Sequence, residues 1–222
     1  MVPNCQTLEE LWKVVDDVNK KHFPENSLKP IVGNGKIFHP KVMFVFINPT
    51  HVNISSDSNW AGPRFPFIGT KAVWRVFHRA GLFDDELIDS INNSKSWSLE
   101  LTNKVLDFLK SKSFYFTNIV KWTGSDASLP DSEKIELFLP VLEKEIEIVQ
   151  PEYIVAFGLI PFENMAKQKI KLQDYYSSVM QDKKLRFFGT SAGQVKIIPC
   201  YFPIGRGNPK RAVEILRLIN DL

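Results

Sequence analysis

Four short, mostly apolar segments alternate with helical patterns along this chain, and this alternation limits its possible folds more than any other feature. The segments lie at residues 42–47, 114–120, 153–157 and 195–199. The first is apolar at every position, which is typical of a strand buried on both faces of a parallel sheet. The alternation predicts an α/β fold of three α/β/α layers, in which helices cover a central, mostly parallel four-stranded sheet.

Local signals mark several of the helices. Thr7 and Glu10 have the spacing of a capping box, which predicts a helix that starts at residue 8. Residues 70–80 have a helical pattern. Pro140 is expected to open a helix that continues to about residue 149, because proline is favoured in a first turn. Asn208 is expected to cap the last helix.

Length and composition predict one globular domain made of residues 1–222. The chain contains no repeat and no linker or low-complexity tract that would divide it. No apolar run approaches the ~18 residues that a membrane span needs, and the N-terminus has no basic start followed by an apolar stretch. We therefore expect an intracellular, cytoplasmic protein without a membrane partner, and we expect it to be a monomer.

Small motifs argue against several kinds of site. Cys5 and Cys200 have no CxxC spacing, so we expect two free thiols and neither a metal site nor a disulfide framework. The formal net charge of +3 fits an anionic partner without requiring one. A nucleotide-binding α/β protein is disfavoured, because there is no GxGxxG or Walker-type loop and the glycines at 33 and 35 precede a predicted strand.

The loops that follow the predicted strands are the candidate sites, because ligands of doubly wound sheets bind beyond the carboxyl ends of the strands. Asn48 and His51 follow the first strand. Asn118 is a polar position in the second strand, and residues 203–211 follow the fourth. We expect Asn48, Phe67, Asn118 and the 203–211 loop to meet in one cleft.

Five sequence fragments occur along the chain in an informative order. They are KVMFVFINPT, RFPFIG, FTNIVKW, FLPVLEKEIEIVQPEYIVAFG and a final Pro-Gly-Arg loop, and they span roughly residues 30 to 222. In this order they resemble the uracil-DNA glycosylase superfamily. INPT is similar to the first motif of the mismatch-specific and single-strand-selective branches. PFIG, TNIVKW and FLPVLEKEI are similar to the thermostable iron–sulfur branch.

The resemblance implies a monofunctional DNA glycosylase that hydrolyses the N-glycosidic bond of a flipped uracil in DNA during base-excision repair. Asn48 is then the residue that places the attacking water, since its amide oxygen can accept a hydrogen bond but is no general base. Most branches stabilise the uracil anion with a histidine where this chain has Phe202, and His51 is the candidate replacement. Taken alone, Asn48 also fits a turn and His51 an incidental loop position.

Two further residues are candidates for binding the base. Phe67 is the candidate stacking platform, since an aromatic face can hold a pyrimidine. Asn118 is the candidate reader of uracil, because one amide offers both a donor and an acceptor. The alternatives are an ordinary core phenylalanine and an asparagine that bonds the local backbone.

The last loop is the candidate contact with the DNA strand. Arg206, Lys210 and Arg211 lie at or just before a predicted helix N-terminus, where backbone N–H groups favour phosphate. Arg206 is also the candidate to fill the gap left by the flipped base. The alternative is a solvated basic loop without a partner.

The iron–sulfur branch holds its cluster with four cysteines, which this chain lacks. Two of the ligand positions fall at Trp122 and Phe138, and Cys5 is the one cysteine near the N-terminus. We therefore expect no metal and no cofactor, and we expect the two aromatic side chains to pack together near the N-terminal segment.

The absence of the motif histidine leaves a rival interpretation open. With Phe202 in its place, the chain would be a glycosylase-fold protein that binds nucleic acid without turnover. The sequence does not separate uracil from thymine or a damaged base, nor single-stranded from double-stranded DNA.

Overall fold

A six-stranded mixed sheet forms the centre of the protein, which is described from a computed structural model at residues 4–190 and 195–222. The sheet order is β1-β3-β2-β4-β6-β5. Its strands are β1 (Asn34–Gly35), β2 (Val42–Phe46), β3 (Phe114–Asn118), β4 (Tyr153–Phe157), β5 (Phe188–Gly189) and β6 (Lys196–Cys200).

The four longer strands are parallel to one another and correspond to the four that the sequence predicted. The prediction of a four-stranded sheet was incomplete, because β1 and β5 add an antiparallel strand at each edge. Each of these edge strands has only two residues. So short a strand has no side-chain alternation, and the sequence therefore carries no signal for it.

Eight α-helices are present in the described residues. They are α1 (Leu8–His22), α2 (Ala72–Arg79), α3 (Asp85–Asn93), α4 (Leu99–Ser111), α5 (Ser132–Val149), α6 (Leu159–Ala166), α7 (Leu172–Asp182) and α8 (Pro209–Arg217). Short 3-10 turns cover Ile54–Ser56 and Leu218–Asp221.

The helices cover both faces of the sheet, which confirms the predicted three-layer α/β/α fold. Successive strand residues point to opposite faces, so Phe44 and Phe46 pack against α2, α3, α4, α7 and α8. Met43 and Val45 face the cluster formed with α1, α5 and α6. Each fully buried side chain of this size contributes about 1.5–3 kcal/mol to folding.

The predicted helix starts are confirmed at both ends of the chain. Thr7 and Glu10 form the capping box of α1, in which the Thr7 hydroxyl oxygen accepts from the Glu10 N–H at 3.2 Å. Asn208 caps α8, and its side-chain oxygen accepts from the Arg211 N–H at 3.2 Å. The loop between β6 and α8 is therefore held where it enters the helix.

The prediction that Pro140 opens a helix is wrong. Helix α5 begins at Ser132, one residue after Asp131, whose carboxylate accepts from the Lys134 N–H at 2.9 Å. Pro140 lies inside the helix on its exposed side. The buried positions Phe138 and Leu142 continue the apolar face across the proline, and this tertiary packing outweighs the one missing backbone hydrogen bond.

Both cysteines are free, as the sequence predicted, and both are buried. Burial raises the pKa of the Cys200 thiol well above its usual range. Among the described residues, no helix combines the length and the apolar character that crossing a membrane would require.

Candidate functional site

A pocket of about 490 Å³ lies where the loops after β2, β3 and β6 meet, beyond the carboxyl ends of these strands. Its wall consists of residues 47–50, 52–53, 66–67, 70, 118, 127–129, 202 and 204–207. The structure thus brings four of the predicted site residues into one wall: Asn48, Phe67, Asn118 and Arg206. His51, Lys210 and Arg211 are not part of it.

Asn48 enters the pocket because it follows β2 directly and the chain turns at Pro49. Its side chain is half-buried, and the amide nitrogen donates to the Pro49 carbonyl at 3.2 Å. This bond uses one amide proton and orients the group. The amide oxygen is left as an acceptor at the pocket wall.

Phe67 is held in a backbone conformation that an L-residue rarely adopts. Its φ is 69°, in the left-handed region, which costs about 1–2 kcal/mol. Its carbonyl accepts from the Thr70 N–H at 3.2 Å and from the Trp74 indole N–H at 3.2 Å, so the surrounding turn is well fixed. The half-buried ring packs edge-on against Phe46, with centroids 4.6 Å apart.

Asn118 is the last residue of β3 and carries an unsatisfied hydrogen-bond donor. The residue is only 1% exposed, yet its amide nitrogen has no partner among the described residues. A buried donor without a partner costs about 1–3 kcal/mol. Since Asn118 also lines the pocket, a ligand in the pocket is the natural acceptor.

The loop after β6 is shaped by two glycines. Gly205 has a φ of 59°, and a Cβ atom at Gly207 would lie 1.9 Å from the Phe202 carbonyl oxygen. Hydrogen bonds from the Gly207 N–H to the Ile204 carbonyl and from the Asn208 N–H to the Phe202 carbonyl, both 3.0 Å, close the loop. This tight loop places the Phe202 side chain at the pocket, in the position for which the resemblance expects a histidine.

The three basic residues of this loop and helix have different surroundings. Arg206 is exposed at the pocket wall and forms no ion pair with any described residue. Lys210 is exposed and lies in a separate groove with Arg79 and Arg217.

Arg211 is half-buried, and its side chain contacts other residues of the protein. Its guanidinium carbon lies 4.7 Å from the Tyr176 ring centre and 5.4 Å from that of Tyr201. It also donates to the Tyr201 hydroxyl at 2.9 Å and to the Gln173 side chain. These contacts give Arg211 a place in the packing of α7 against α8.

His51 is exposed beyond the pocket wall. Its backbone N–H donates to the Gly124 carbonyl at 2.8 Å, which ties the loop after β2 to the loop after β3. Arg206 is consequently the one ionisable side chain in the pocket wall, as far as the structure describes the chain. The wall otherwise offers amides, hydroxyls and apolar groups.

The aromatic residues at the two cluster-ligand positions, Trp122 and Phe138, both lie against Phe23 in one apolar cluster. Phe23, just after α1, lies with its ring centre 5.8 Å from that of Trp122 and 6.4 Å from that of Phe138. Cys5 belongs to the same apolar cluster. The part of the chain described contains no group of three or more His, Cys, Asp or Glu residues that could hold a metal ion.

Sequence reasoning missed two features near the site. Val52 and Leu129 line the pocket and are 51% and 65% exposed, so its mouth has an apolar rim. Lys121 is completely buried beside Asn118, with its ammonium group 2.6 Å from the Asn118 carbonyl oxygen. A lysine three residues after a strand is ordinarily exposed, so its sequence position carried no signal for burial.

Comparison with known proteins identifies the family. No curated protein sequence matched the chain. The sequence model described as "Uracil DNA glycosylase superfamily" matches residues 32–222, which include every element from β1 to the C-terminus and all of the pocket wall. The chain therefore belongs to the uracil DNA glycosylase superfamily, and its function is of the DNA glycosylase type.

Proposed function

We propose that this protein hydrolyses the N-glycosidic bond of a uracil extruded from DNA, as a monofunctional glycosylase of base-excision repair. The observation that carries the proposal is the buried, unpartnered amide nitrogen of Asn118 in a pocket shared with Asn48 and Phe67. A pocket of about 490 Å³ lies within the usual range for small-molecule sites, and a single base fits that class.

Asn118 supports the choice of uracil. Its amide nitrogen can donate to uracil O4 while its amide oxygen accepts from uracil N3–H. Cytosine presents a donor and an acceptor in the opposite order, so an Asn118 amide that keeps this orientation would have both of its groups unsatisfied by cytosine. An unsatisfied buried pair is the kind of penalty that discriminates strongly between similar substrates.

Phe67 supports the binding of a flat ring. Base–aromatic stacking contributes about 1–3 kcal/mol per base. Because hydrogen bonds fix the turn around Phe67, its ring is oriented before any base arrives. Little ordering entropy is then lost when the base binds.

Asn48 is the proposed site of the attacking water. Its amide oxygen accepts a hydrogen bond from the water, whose oxygen forms a bond to the anomeric carbon C1′. The C1′–N1 bond breaks with its electron pair moving to the base, and the water proton passes to solvent. The products are uracil, after protonation of its anion, and an abasic site in DNA.

With Arg206 assigned to the DNA strand, we assign stabilisation of the uracil anion to neutral donors. Phe202 lines the pocket but has no hydrogen-bond donor, and His51 lies outside the wall. The Asn118 amide is the donor best placed to interact with the charge that develops on the base. Preorganised donors of this kind account for large parts of enzymatic rate enhancement.

The direct test is an incision assay on uracil-containing oligonucleotides with enzyme in excess, followed by alkali to break abasic sites. We expect cleavage after alkali and none without it, because a monofunctional glycosylase leaves the strand intact. A thymine or cytosine at the same position, in single-stranded and in double-stranded DNA, serves as the comparison. Release of cytosine as fast as uracil would contradict the role of Asn118.

Phe202 supports a second candidate, a protein that binds uracil-containing DNA without turnover. The same oligonucleotides separate the two functions. Binding without base release would favour the second candidate, and Phe202→His should then restore a measurable rate by supplying a donor. Base release by the unmodified protein would exclude it.

A further inference from the structure

Behind the pocket wall, the ammonium group of Lys121 is completely buried and has three oxygen partners. It donates to Glu145 of α5 at 2.5 Å, to the Thr117 hydroxyl at 2.5 Å and to the Asn118 carbonyl at 2.6 Å. These bonds use all three ammonium protons. The side chains of Lys121 and Glu145 are both inaccessible to solvent.

Two further residues, Tyr115 and Gly33, accommodate this ion pair. Tyr115, on β3, donates its hydroxyl to the second oxygen of Glu145 at 2.8 Å. Gly33 leaves the necessary space, because a Cβ atom there would lie 2.1 Å from that oxygen. We call the four residues Tyr115, Thr117, Lys121 and Glu145 the Lys121 network.

Burying the charges of the Lys121 network carries a free-energy penalty that an apolar interior would avoid. Removing an ion pair from water carries a large desolvation penalty for each ion, and replacing such a pair by apolar side chains of similar volume often leaves a protein equally stable or more stable. Burial lowers the pKa of Lys121, although Glu145 opposes this effect, and burial raises the pKa of Tyr115. A contribution to stability alone does not account for these residues.

We propose that Lys121 is a positioning residue for Asn118, and this inference rests on the proposed function. The Asn118 amide nitrogen has no partner among the described residues, so a shift of the strand end that brought it to an internal acceptor would be favourable. Lys121 holds the carbonyl of the same residue and opposes that shift. The amide therefore remains directed at the pocket while the pocket is empty.

The Lys121 network also couples Asn118 to distant parts of the chain. Glu145 lies 24 residues beyond Lys121, on α5, and the Trp12 ring of α1 lies 5.9 Å from the ammonium nitrogen. The position of one pocket side chain thus depends on two helices that contribute nothing to the pocket wall. A change in the packing of α1 or α5 should therefore alter the position of the Asn118 side chain.

The test is the double variant Lys121→Met with Glu145→Gln. It removes both charges, shortens the side chain at position 121 by one atom, keeps the length of the one at position 145 and leaves an acceptor for the Tyr115 hydroxyl. The matched control is Arg64→Met with Asp16→Asn, which removes a 2.7 Å ion pair outside the network. Single-turnover uracil release, DNA affinity and the ¹⁵N–¹H signals of the Asn118 side-chain amide are measured in each protein, with Asn118→Asp used to assign those signals.

We expect the network variant to release uracil at least about tenfold more slowly, with DNA affinity within about twofold, because positioning acts on the reacting geometry. Its Asn118 amide signals should shift or broaden, and the control variant should change neither property. An unchanged rate and unchanged amide signals in a folded network variant would overturn the proposal.

Two outcomes need separate treatment. Should the double variant fail to fold, Tyr115→Phe removes one hydrogen bond only, and Tyr175→Phe is its control, since Tyr175 bonds the Arg186 carbonyl at 3.0 Å outside the pocket wall. Should the unmodified protein release no uracil, the proposed function fails. The Asn118 amide signals still decide whether the Lys121 network positions this residue. Unchanged signals in the network variant would overturn the positioning role as well.

Discussion

At the scale of single residues, the pocket relies on side-chain amides rather than on titrating groups. Asn48 and Asn118 face the pocket from two neighbouring strand ends, and Arg206 is the one ionisable side chain described in the wall. An amide can orient a water or a base but cannot take up a proton. Catalysis by such a site must depend on positioning and on fixed dipoles.

Asn118→Asp should reduce uracil release by about 100-fold, because a carboxylate cannot donate to O4 and repels the anion that forms on the base. Single-turnover rates on a uracil-containing strand measure the effect. Asn93→Asp is the matched control, since Asn93 is an exposed residue at the end of α3. Full activity in Asn118→Asp would remove Asn118 from the site.

Asn48→Ala should lower the single-turnover rate by about 100-fold and leave DNA affinity nearly unchanged, because a group that places the water acts mainly on the transition state. His51→Ala belongs in the same series. We expect it to have little effect, since His51 is exposed outside the pocket wall. A large loss in His51→Ala would instead make this histidine the replacement for the one missing at Phe202.

The pH dependence follows from the same composition of the pocket. A general acid or base gives a rate profile that bends at its pKa. Arginine stays protonated throughout, so the single-turnover rate should vary little between about pH 6 and pH 8. A profile that bends within this range would show that an ionisable group beyond the pocket wall takes part.

At the scale of secondary-structure elements, tertiary packing overrules a local signal in α5. Proline normally marks a helix start, but α5 continues across Pro140 because Phe138, Val141 and Leu142 keep one face buried. The helix also carries Glu145, the partner of Lys121. Its length is therefore required for the Lys121 network as well as for the core.

Pro140→Ala should raise the free energy of unfolding by about 1–3 kcal/mol, because it restores a backbone donor on an exposed helix position. Urea denaturation measures this change. Asp131→Ala, at the cap of the same helix, should act in the opposite direction by about 1 kcal/mol. A destabilised Pro140→Ala protein would mean that the proline stabilises a bend that the core needs.

At the scale of the whole molecule, the pocket mouth combines one free cation with an apolar rim. Arg206 is exposed there without a carboxylate partner in the described residues, while Val52 and Leu129 expose apolar side chains. Phosphate contacts supply most of the affinity for DNA, and apolar groups contact bases. The mouth therefore fits a DNA strand with an opened base.

Arg206→Ala should weaken DNA binding and reduce the slope of log K against log salt by about one, because one phosphate contact is lost. Titrations at several salt concentrations measure this slope. Lys183→Ala is a suitable control, since Lys183 is exposed after α7 and is not part of the pocket wall. An unchanged slope in Arg206→Ala would place Arg206 in the gap of the flipped base instead.

Local sequence signals determined much of this protein. The four parallel strands, the caps at Thr7 and Asn208, and the strand-end position of Asn48 all follow from apolar runs and capping residues. These signals act over a few residues, so they can be recognised without knowledge of the fold.

Only the tertiary structure decided how distant segments meet. In the folded protein, α5 continues through Pro140 and His51 lies outside the pocket wall. The Arg211 guanidinium packs against two tyrosine rings. The fold also buries Lys121 against Glu145. Each of these outcomes depends on a contact between side chains far apart in the chain, whose energy appears only when the helices pack on the sheet.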